Sequence, residues 1–420
     1  MPQLNEIVIT GMGCVTPIGI GRDEFWSGLK VGRCAIEVLH SAPGMPDFPA
    51  AVLKNFDAKQ YVTPRKALKV MVSELQTAYA ASRLAWLDAG LTDGHVDPDR
   101  VGVLFGSETF CAELPDLTDA VAACFVEGKY EVSRWGSTFP KTITPLWMLK
   151  SLPNMPACHV GIAVDARGPN NSIVMEEVSG LLALQEAAIT IERGAADMMV
   201  VGSTGNRVNP SRMLYRIKQH FDESPNQEEP FCAPYDLHRR GAVPGEGAGA
   251  IILESREHAE RRGVVPIARL AGFSNCFAPP DGVLTGSRRS IAAAAANAIK
   301  SAGIAVSQIA HVSSQAFSHR DLDANEAQAL ESVIGSTPVV GYSSYFGQLK
   351  GGCGIVELIA SMLSLEHKTV LPTLGFSERD PACPVRVLKH AESSDDKDYL
   401  MKLNFNPQGQ AAAVVVQCLK

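Results

Sequence analysis

Short apolar runs that end at a glycine or a turn recur along the whole chain, and they limit the folds that it can adopt. The first four such runs lie at 7–11, 101–106, 198–202 and 249–253. Runs of this kind are typical of strands that are buried on both faces of a sheet. Stretches rich in Ala and Leu, with the spacing of helices, lie at 181–193 and 290–301. The sequence therefore predicts a layered α/β fold.

The second part of the chain repeats this pattern. Four further buried strands are predicted, at 267–272, 309–313, 339–341 and 411–416. A charged stretch at 255–263 is predicted to form a surface helix between the two parts. At roughly 150 residues per domain, 420 residues are enough for two or three domain-sized units. We therefore predict two similar halves, at 1–254 and 255–420.

The composition and charge exclude several classes of protein. Hydrophobic residues make up 46% and charged residues 20%, which is typical of a packed chain and not of a disordered one. The net charge is -7, and lysines and arginines form scattered pairs instead of basic runs, so we predict no binding to nucleic acid. No apolar stretch approaches the roughly 18 residues of a membrane span, and the first residues lack the features of a signal peptide. We therefore predict a cytoplasmic protein that binds no membrane.

Neither the cysteines nor the glycine-rich start indicates a metal or a nucleotide cofactor. The ten cysteines are too dispersed for zinc pairs or a disulfide framework, so we predict reduced thiols. Gly11-Met12-Gly13 follows a predicted strand, as in a dinucleotide-binding loop. However, the third glycine is missing from the required spacing, and Pro17 falls where the helix should form. The sequence therefore predicts no cofactor and no metal.

The longest specific motif lies at 234–254. Pro234-Tyr235-Asp236 is followed by RRGAVPGEGAG at 239–249 and by an apolar strand that ends at Glu254. This block resembles PFDxxRDGFVxGEGAGxLxLE of the 3-oxoacyl-[acyl-carrier-protein] synthases, or ketosynthases. Supporting matches follow in family order along essentially the whole chain: VITGMGxVTPxG at 8–19, Gly168-Pro169-Asn170 with Ser172-Ile173, Asp323 with Glu326, and Gly347, Gly351 and Gly354.

The resemblance implies a thiolase-like fold, in which two duplicated βαβαβαββ halves form a five-layer αβαβα core, normally as a dimer. It also implies cap insertions in the N-terminal half and a strand at the dimer axis near 158–167. In working members, a cysteine at a strand-to-helix elbow takes the acyl chain, which arrives on a phosphopantetheine carrier protein. Two histidines decarboxylate malonyl-carrier protein and stabilise the developing enolate and oxyanion.

Two of the three catalytic positions can be located from the first two family motifs. GPNxSIxTACxxG aligns with 168–180 and puts Glu177 at the position of the cysteine. HGTSTxxxDxxE, anchored by Asp323 and Glu326, puts Gln315 at the position of the first histidine. The resemblance thus implies that the thiol and one imidazole have been replaced within a preserved frame.

The third motif, KSxxGHxxGAAG, aligns with 343–354. It retains Gly347 but places Gln348 at the second histidine and Ser343 at the family lysine. A glutamine neither gains nor loses a proton near neutral pH, so Gln315 and Gln348 can donate hydrogen bonds but cannot do the acid/base work of histidine. We therefore expect no condensation from this chain alone.

The nucleophile position and the last family loop also indicate that this chain alone does not catalyse condensation. A carboxylate such as Glu177 is a much poorer acyl carrier than a thiolate, because a mixed anhydride would hydrolyse or revert. The family loop SFGFGGTNA is replaced at 404–412, which includes the pocket residues Phe405 and Pro407. Pro407 removes an N–H from a loop that helps to form the family oxyanion hole.

Two roles remain open for Glu177. It can cap the helix that follows, where the helix dipole favours a carboxylate, or it can be a general base for another reaction, which would require a raised pKa and a substrate pocket. We expect it to be ionised at the helix N-terminus, with Gln315 or Gln348 filling the space of the former acyl-cysteine.

Four other residues are weaker candidates for chemistry. His319 occupies a family threonine position and is predicted to be structural. Cys14 and Cys353 are flanked by close-packing glycines, which is typical of buried and inert thiols. Ser179 is not in a GxSxG elbow.

The leading hypothesis is a non-catalytic subunit that resembles the chain-length-factor subunits of type II polyketide and aryl-polyene systems. Such a subunit pairs with an active ketosynthase, or with itself, and shapes acyl-chain length in polyketide or fatty-acid-type synthesis. Its other expected partner is an acyl carrier protein. One alternative is a thiolase-fold acyl-thioester hydrolase or decarboxylase that uses Glu177. A second alternative is an active 3-oxoacyl-carrier-protein synthase.

Overall fold

The computed structural model describes residues 6–40, 47–92, 94, 96–108, 113–212, 232–283, 285–394 and 397–419. Within these residues the main sheet has twelve strands, of which Gly19–Ile20 and Arg386–Val387 have two residues each, and we number the other ten in chain order. The N-terminal five are β1 (Ile7–Thr16), β2 (Val101–Ser107), β3 (Asn170–Val174), β4 (Met198–Asn206) and β5 (Glu246–Ser255). The C-terminal five are β6 (Ala268–Phe277), β7 (Ile309–Ser313), β8 (Pro338–Val340), β9 (Tyr399–Phe405) and β10 (Gln410–Cys418).

The two sets of strands share one topology. Their order across the sheet is β1-β5-β4-β2-β3 in the first set and β6-β10-β9-β7-β8 in the second. In each set the first three neighbours pair antiparallel, and the last three pair parallel. The sets join where Val8 and Ile9 of β1 pair with β6. This repeated order agrees with the duplicated halves that the sequence predicts.

Six helices complete a five-layer αβαβα core. They are α1 (Ser73–Asp88), α2 (Met155–Ala163), α3 (Ser179–Glu192), α4 (Arg288–Ala302), α5 (Arg320–Ile334) and α6 (Cys353–Glu366). Helices α1 and α2 cover the outer face of the N-terminal strands, and α4 and α5 cover that of the C-terminal strands. Helices α3 and α6 lie between the two sets and touch both. Residues 353–365 of α6 are all buried, as a helix that is largely apolar on every side requires.

Shorter elements surround this core. The additional helices are Arg22–Lys30, Leu114–Ala122, Trp135–Thr142, Trp147–Ser151, Arg256–Arg261 and Ser343–Phe346. The additional strands are Gly19–Ile20, Ile36–Leu39, Phe48–Ala51, Phe125–Val126, Lys129–Tyr130, Thr369–Val370, Arg386–Val387 and Glu392–Ser393. Single 3-10 turns lie at Ala58–Gln60, Arg65–Val70, Pro98–Arg100, Val132–Arg134, Glu176–Val178, Val306–Gln308 and Lys350–Gly352. Within the described ranges, no helix combines the length and hydropathy needed to cross a membrane.

The structure confirms the predicted α/β class and corrects one segment. The strand expected at the dimer axis near 158–167 is wrong, because Cys158 to Ala163 belong to α2 and the strand before the elbow is β3, at Asn170–Val174. Pro156 stands in the first turn of α2, where a missing N–H has no cost, and Ala157 and Val160 pack into the outer layer. The predicted boundary at residues 254 and 255 falls at the end of β5.

Candidate functional site

Glu177 lies on a sharp elbow between β3 and α3. The elbow is the 3-10 turn Glu176–Val178, and Glu176 adopts φ 54, in the left-handed region that side chains disfavour. The Ser179 hydroxyl closes the turn by accepting from the Met175 N–H at 2.8 Å and donating to the Glu176 carbonyl at 2.6 Å. The Glu176 carboxylate pairs with Lys350 Nζ at 3.1 Å. This is the strand-to-helix geometry that the resemblance implies for the nucleophile position.

The Glu177 side chain is held in an unfavourable place for a charge. It is 3% exposed, and its Oε2 atom has no hydrogen-bond partner among the residues that the structure describes. Burial, followed by the neighbouring Glu176 carboxylate, raises the pKa of Glu177 to about 8, although the Arg207 guanidinium opposes the rise. The direction of this pKa shift runs against the expectation of an ionised Glu177, because desolvation disfavours the charged form.

Gln315 lies on the loop that follows β7, and Glu326 of α5 fixes that loop. The two Glu326 carboxylate oxygens accept the N–H groups of Gln315, at 2.8 Å, and Ala316, at 3.0 Å. Tyr235 donates its hydroxyl to Glu326 at 2.8 Å and its N–H to Asp323 at 2.9 Å. Asp323 and Glu326 therefore support the backbone that presents Gln315.

Gln348 approaches the same loop from the helix Ser343–Phe346. Gly347 ends that helix at φ 71, and a Cβ atom there would lie 2.9 Å from the Pro244 carbonyl oxygen, so this turn requires glycine. Gln348 Nε2 donates to the carbonyls of Gln315 and Ala316, at 3.1 and 2.9 Å. Ser343 Oγ donates to the same Ala316 carbonyl at 2.6 Å.

Three fully buried amides form a continuous chain, which we call the amide ladder: Asn404, Gln315 and Gln348. Asn404 Nδ2 donates to Gln315 Oε1, and Gln315 Nε2 donates to Gln348 Oε1 at 3.0 Å. The sequence analysis did not predict Asn404 as a site residue. The signal was its position in the altered 404–412 loop, in a chain where two catalytic positions had become amides.

The Cys353 thiol bonds to the ladder and lies close enough to Glu177 to feel its charge. Cys353 donates its thiol to Gln348 Oε1 at 3.5 Å, and Glu177 is near enough to affect the Cys353 thiol electrostatically. Among the hydrogen bonds of the described residues, none joins Glu177 to either glutamine. The glutamines bond to each other, and the expectation that one of them fills the space of the former acyl-cysteine stays a prediction.

The ladder leaves little for a substrate to bind. An amide group has two N–H donors, and both of those of Gln348 are accounted for by the two backbone carbonyls. Neither glutamine can transfer a proton, and Glu177 can do so but cannot hold an acyl group for long. The site can therefore exchange a proton at Glu177, but it is poorly suited to stabilise an oxyanion.

A buried lysine that the sequence argument also missed lies behind the ladder. Lys402 of β9 pairs with Glu357 of α6 at 2.5 Å, and both side chains are 0% exposed. The same ammonium group donates to the carbonyls of Ser314 and Leu403, both at 3.0 Å. A lysine inside the apolar strand YLMKLNF was the available signal. The site therefore retains a cation, although Ser343 occupies the family lysine position.

Phe405 is the last residue of β9, next to Asn404, and Pro407 follows two residues later. The Phe405 ring packs edge to face on Phe317, with ring centroids 5.4 Å apart. Pro407 lies in the short turn between β9 and β10, where its carbonyl accepts from the Gly286 N–H at 3.1 Å. The turn is held by Asn406, whose carbonyl accepts from the Gly409 N–H at 3.1 Å. The loop at 404–412 is thus mostly a strand hairpin.

The weaker candidates have structural surroundings. His319 caps α5, and its Nδ1 accepts from the Asp321 N–H at 3.3 Å. Burial raises the pKa of the Cys14 and Cys353 thiols well above the ordinary value, so neither supplies a thiolate. The nine cysteines in the described ranges form no disulfide, and Cys111 lies outside those ranges. Across the same residues, no cluster of His, Cys, Asp and Glu has the geometry to hold a metal ion.

Comparisons with known proteins agree with the family that the motifs around the site indicate. Residues 4–259 match the family described as Beta-ketoacyl synthase, N-terminal domain, and residues 271–377 match Beta-ketoacyl synthase, C-terminal domain. The oxytetracycline polyketide beta-ketoacyl synthase 1 of Streptomyces rimosus is 30% identical over 391 residues, which cover 90% of this chain and 89% of the relative. The 3-oxoacyl-[acyl-carrier-protein] synthase 2 of Coxiella burnetii is 26% identical over 426 residues, 99% of each chain.

Solved structures show the same architecture. A beta-ketoacyl synthase from Burkholderia phymatum has a TM-score of 0.87 and 26% identity, and the alignment covers 99% of this chain and 100% of that one. The ishigamide ketosynthase/chain length factor has a TM-score of 0.85 at 22% identity, over 100% of both chains, and this likeness is one of fold. The two family matches together span most of the sequence. The chain belongs to the beta-ketoacyl synthase family.

Proposed function

We propose that this chain is a non-catalytic ketosynthase-like subunit that pairs with an active ketosynthase and shapes the length of the acyl chain it makes. The observation that carries the proposal is the amide ladder. Gln315 and Gln348 replace both family histidines, and their hydrogen bonds turn inward to the protein. A site whose two glutamines bond to each other and to the backbone lends itself to structure more than to turnover.

An exposed sheet edge supports the pairing. Among the described residues, strand β3 has a neighbour on one side only in the main sheet, which is β2. Around this free edge, Ile162, Val174 and Met175 are 76%, 40% and 43% exposed. A free edge with apolar side chains is a liability in a monomer and is normally covered by another chain. We assign the partner ketosynthase to this edge, with a second copy of this chain as the alternative.

A small basic surface supports the carrier protein as a further partner. Arg65, Lys66 and Lys69 are exposed on one 3-10 turn, and no carboxylate in the described part of the chain forms an ion pair with them. The chain as a whole has a net charge of -7. Exposed cations of this kind attract a phosphate group or an acidic protein at long range.

The proposal is tested by co-expression with a ketosynthase that retains the cysteine and both histidines. We expect a 1:1 complex by size-exclusion chromatography and mass spectrometry, and a change in product length when this chain is omitted. Val174→Lys should weaken the complex, whereas Val265→Lys, at a position that is 80% exposed elsewhere, should not. A stable monomer at micromolar concentration, or a ketosynthase whose products ignore this chain, would contradict the proposal.

A second function has one observation in its favour. The pKa of Glu177, raised to about 8 by burial and then by Glu176, meets the first requirement for an acid/base group. A protonated Glu177 could supply a proton to a thioester-derived enolate, as in a decarboxylase. Nothing comparable favours an active condensing enzyme, because the thiol and both imidazoles are absent from their positions.

A further inference from the structure

A cavity of about 380 Å³ lies at the end of the core opposite the amide ladder. Its walls include residues that flank the start of β6, the end of α6, the start of β9 and the end of β10. Helix α6 connects the two places, because its first residue, Cys353, bonds to Gln348 and its last, Glu366, lines the cavity. Its 14 residues, at ~1.5 Å each, separate them by about 20 Å. The cavity is therefore distinct from the former catalytic site, and its volume is in the range of small-molecule sites, roughly 300–1,000 Å³.

The inner wall of the cavity is apolar. It is formed by Ile267, Met362, Leu365 and Cys418. Met362 and Leu365 are 1% and 6% exposed, and the Cys418 thiol donates to the Met362 carbonyl at 3.9 Å. Burial, followed by the Glu366 and Asp398 carboxylates, raises the pKa of Cys418 to about 12, so this thiol is neutral. The inner wall therefore suits a hydrocarbon group.

The mouth of the cavity carries charges of both signs, from Arg22, Lys368, Lys397, Glu366 and Asp398. The Arg22 guanidinium bonds to the Glu366 carboxylate. Lys368 is exposed, and its ammonium group has no ion-pair or hydrogen-bond partner in the part of the chain that the structure describes. Asp398 acts electrostatically on the Cys418 thiol, so its carboxylate lies near the inner wall. A cation and a carboxylate therefore flank the same apolar wall.

Such a mouth is poorly matched to a ligand with a single charge. An alkyl carboxylate would lie beside Glu366 and Asp398, whereas an alkylamine would lie beside Lys368 and Lys397, and like charges repel each other. A small zwitterion avoids both costs, because each of its charges meets an opposite one. Asp398 can accept from an ammonium group in addition to its present contacts, since a carboxylate accepts several hydrogen bonds.

We propose that this cavity binds a free α-amino acid with an apolar side chain. Lys368 pairs with the carboxylate of the ligand and Asp398 with its ammonium group, while Met362 and Leu365 contact its side chain. This binding site is separate from the amide ladder and does not depend on the proposed function of the chain.

The test compares L-leucine with three analogues, each of which lacks one of the recognised groups, by calorimetric titration of the purified full chain. The analogues are 4-methylpentanoate, which lacks the amine, 3-methylbutylamine, which lacks the carboxylate, and glycine, which lacks the side chain. We expect saturable binding of L-leucine, and binding weaker by at least about 10-fold for each analogue. Absence of saturable L-leucine binding, or an analogue that binds as tightly as L-leucine, would overturn the inference.

A charge reversal then locates the binding in this cavity. Lys368→Glu should weaken L-leucine binding by at least about 10-fold, because it places a carboxylate beside that of the ligand. The matched control, Lys300→Glu, changes an exposed lysine on α4 and should bind L-leucine as the unmodified chain does. Equal L-leucine binding by the two variants would overturn the inference. The analogue series uses the unmodified chain and stands if Lys368→Glu does not fold.

Discussion

The two sides of the site have lost their catalytic groups in different ways. On the C-terminal side, both histidine positions hold neutral amides that bond to each other and to the backbone, with Gln315 Nε2 3.0 Å from Gln348 Oε1. On the N-terminal side, the cysteine position holds Glu177, an ionisable group with one oxygen that has no partner within the described ranges. We call these the amide side and the carboxyl side. Hydrogen bonds between the substituted amides stabilise the amide side, whereas desolvation of the Glu177 carboxylate costs free energy on the carboxyl side, and this cost depends on pH. The two sides should therefore respond in opposite ways to mutation.

The largest loss of stability is expected at Lys402, which lies behind the amide side. Lys402→Met leaves Glu357 buried and unpaired, so we expect a loss of roughly 3–5 kcal/mol in the free energy of unfolding, measured by chemical denaturation. Ser343 and Lys402 both donate to the backbone of residues 313–316. Adding Ser343→Lys to Lys402→Met should therefore recover part of the loss. Full stability in Lys402→Met would show that the ion pair does not form.

The next largest effect is expected on the carboxyl side, where substitution of Glu177 should raise the free energy of unfolding instead of lowering it. Burial, then Glu176, raises the pKa of Glu177 from 4.5 to about 8 in the folded chain. Its contribution to stability is therefore complete below pH 4.5 and is lost as the pH rises through 8. Glu177→Gln should match the unmodified chain near pH 5 and exceed its stability by on the order of 2–4 kcal/mol above pH 8.

Thermal or denaturant unfolding across this pH range measures the difference. The exposed Glu131→Gln is the matched control and should leave the profile as it is. A Glu177→Gln variant that is less stable than the unmodified chain at pH 8 would mean that Glu177 is ionised and paired, and the contrast between the two sides would fail.

A smaller loss is expected within the ladder itself. Gln348→Ala leaves the Gln315 and Ala316 carbonyls without their Nε2 donor, so we expect a loss of about 1–3 kcal/mol, independent of pH between 5 and 8. The same measurement on Gln60→Ala, at an exposed position, should give a change within about 0.5 kcal/mol. Equal costs for the two variants would contradict the ladder.

The fold and the frame of the site could be predicted because they depend on local pattern. Apolar runs predicted the core strands, and Asp323, Glu326 and Gly347 kept the family spacing that located the replaced positions. The axis strand, which the resemblance implied near 158–167, was misplaced, because Cys158 to Ala163 belong to α2 and the strand before the elbow is β3.

The electrostatics of the site could not be read in the same way. The ionisation of Glu177 depends on how completely other elements bury it, which helix-terminus arguments do not capture. Asn404 and Lys402 come from one strand that meets Gln315 and Glu357 only in three dimensions. Their roles follow from these meetings and not from any spacing along the chain.

The central claim is that this chain does no ketosynthase chemistry by itself. The most direct test is to incubate the purified full chain with malonyl-carrier protein and to follow the phosphopantetheine arm by mass spectrometry. We expect no acetyl-carrier protein above background, either for the unmodified chain or for Glu177→Cys, because Gln315 and Gln348 remain in place. Acetyl-carrier protein formed by the unmodified chain, and lost in Glu177→Gln, would contradict the claim and make Glu177 the acid of a decarboxylase.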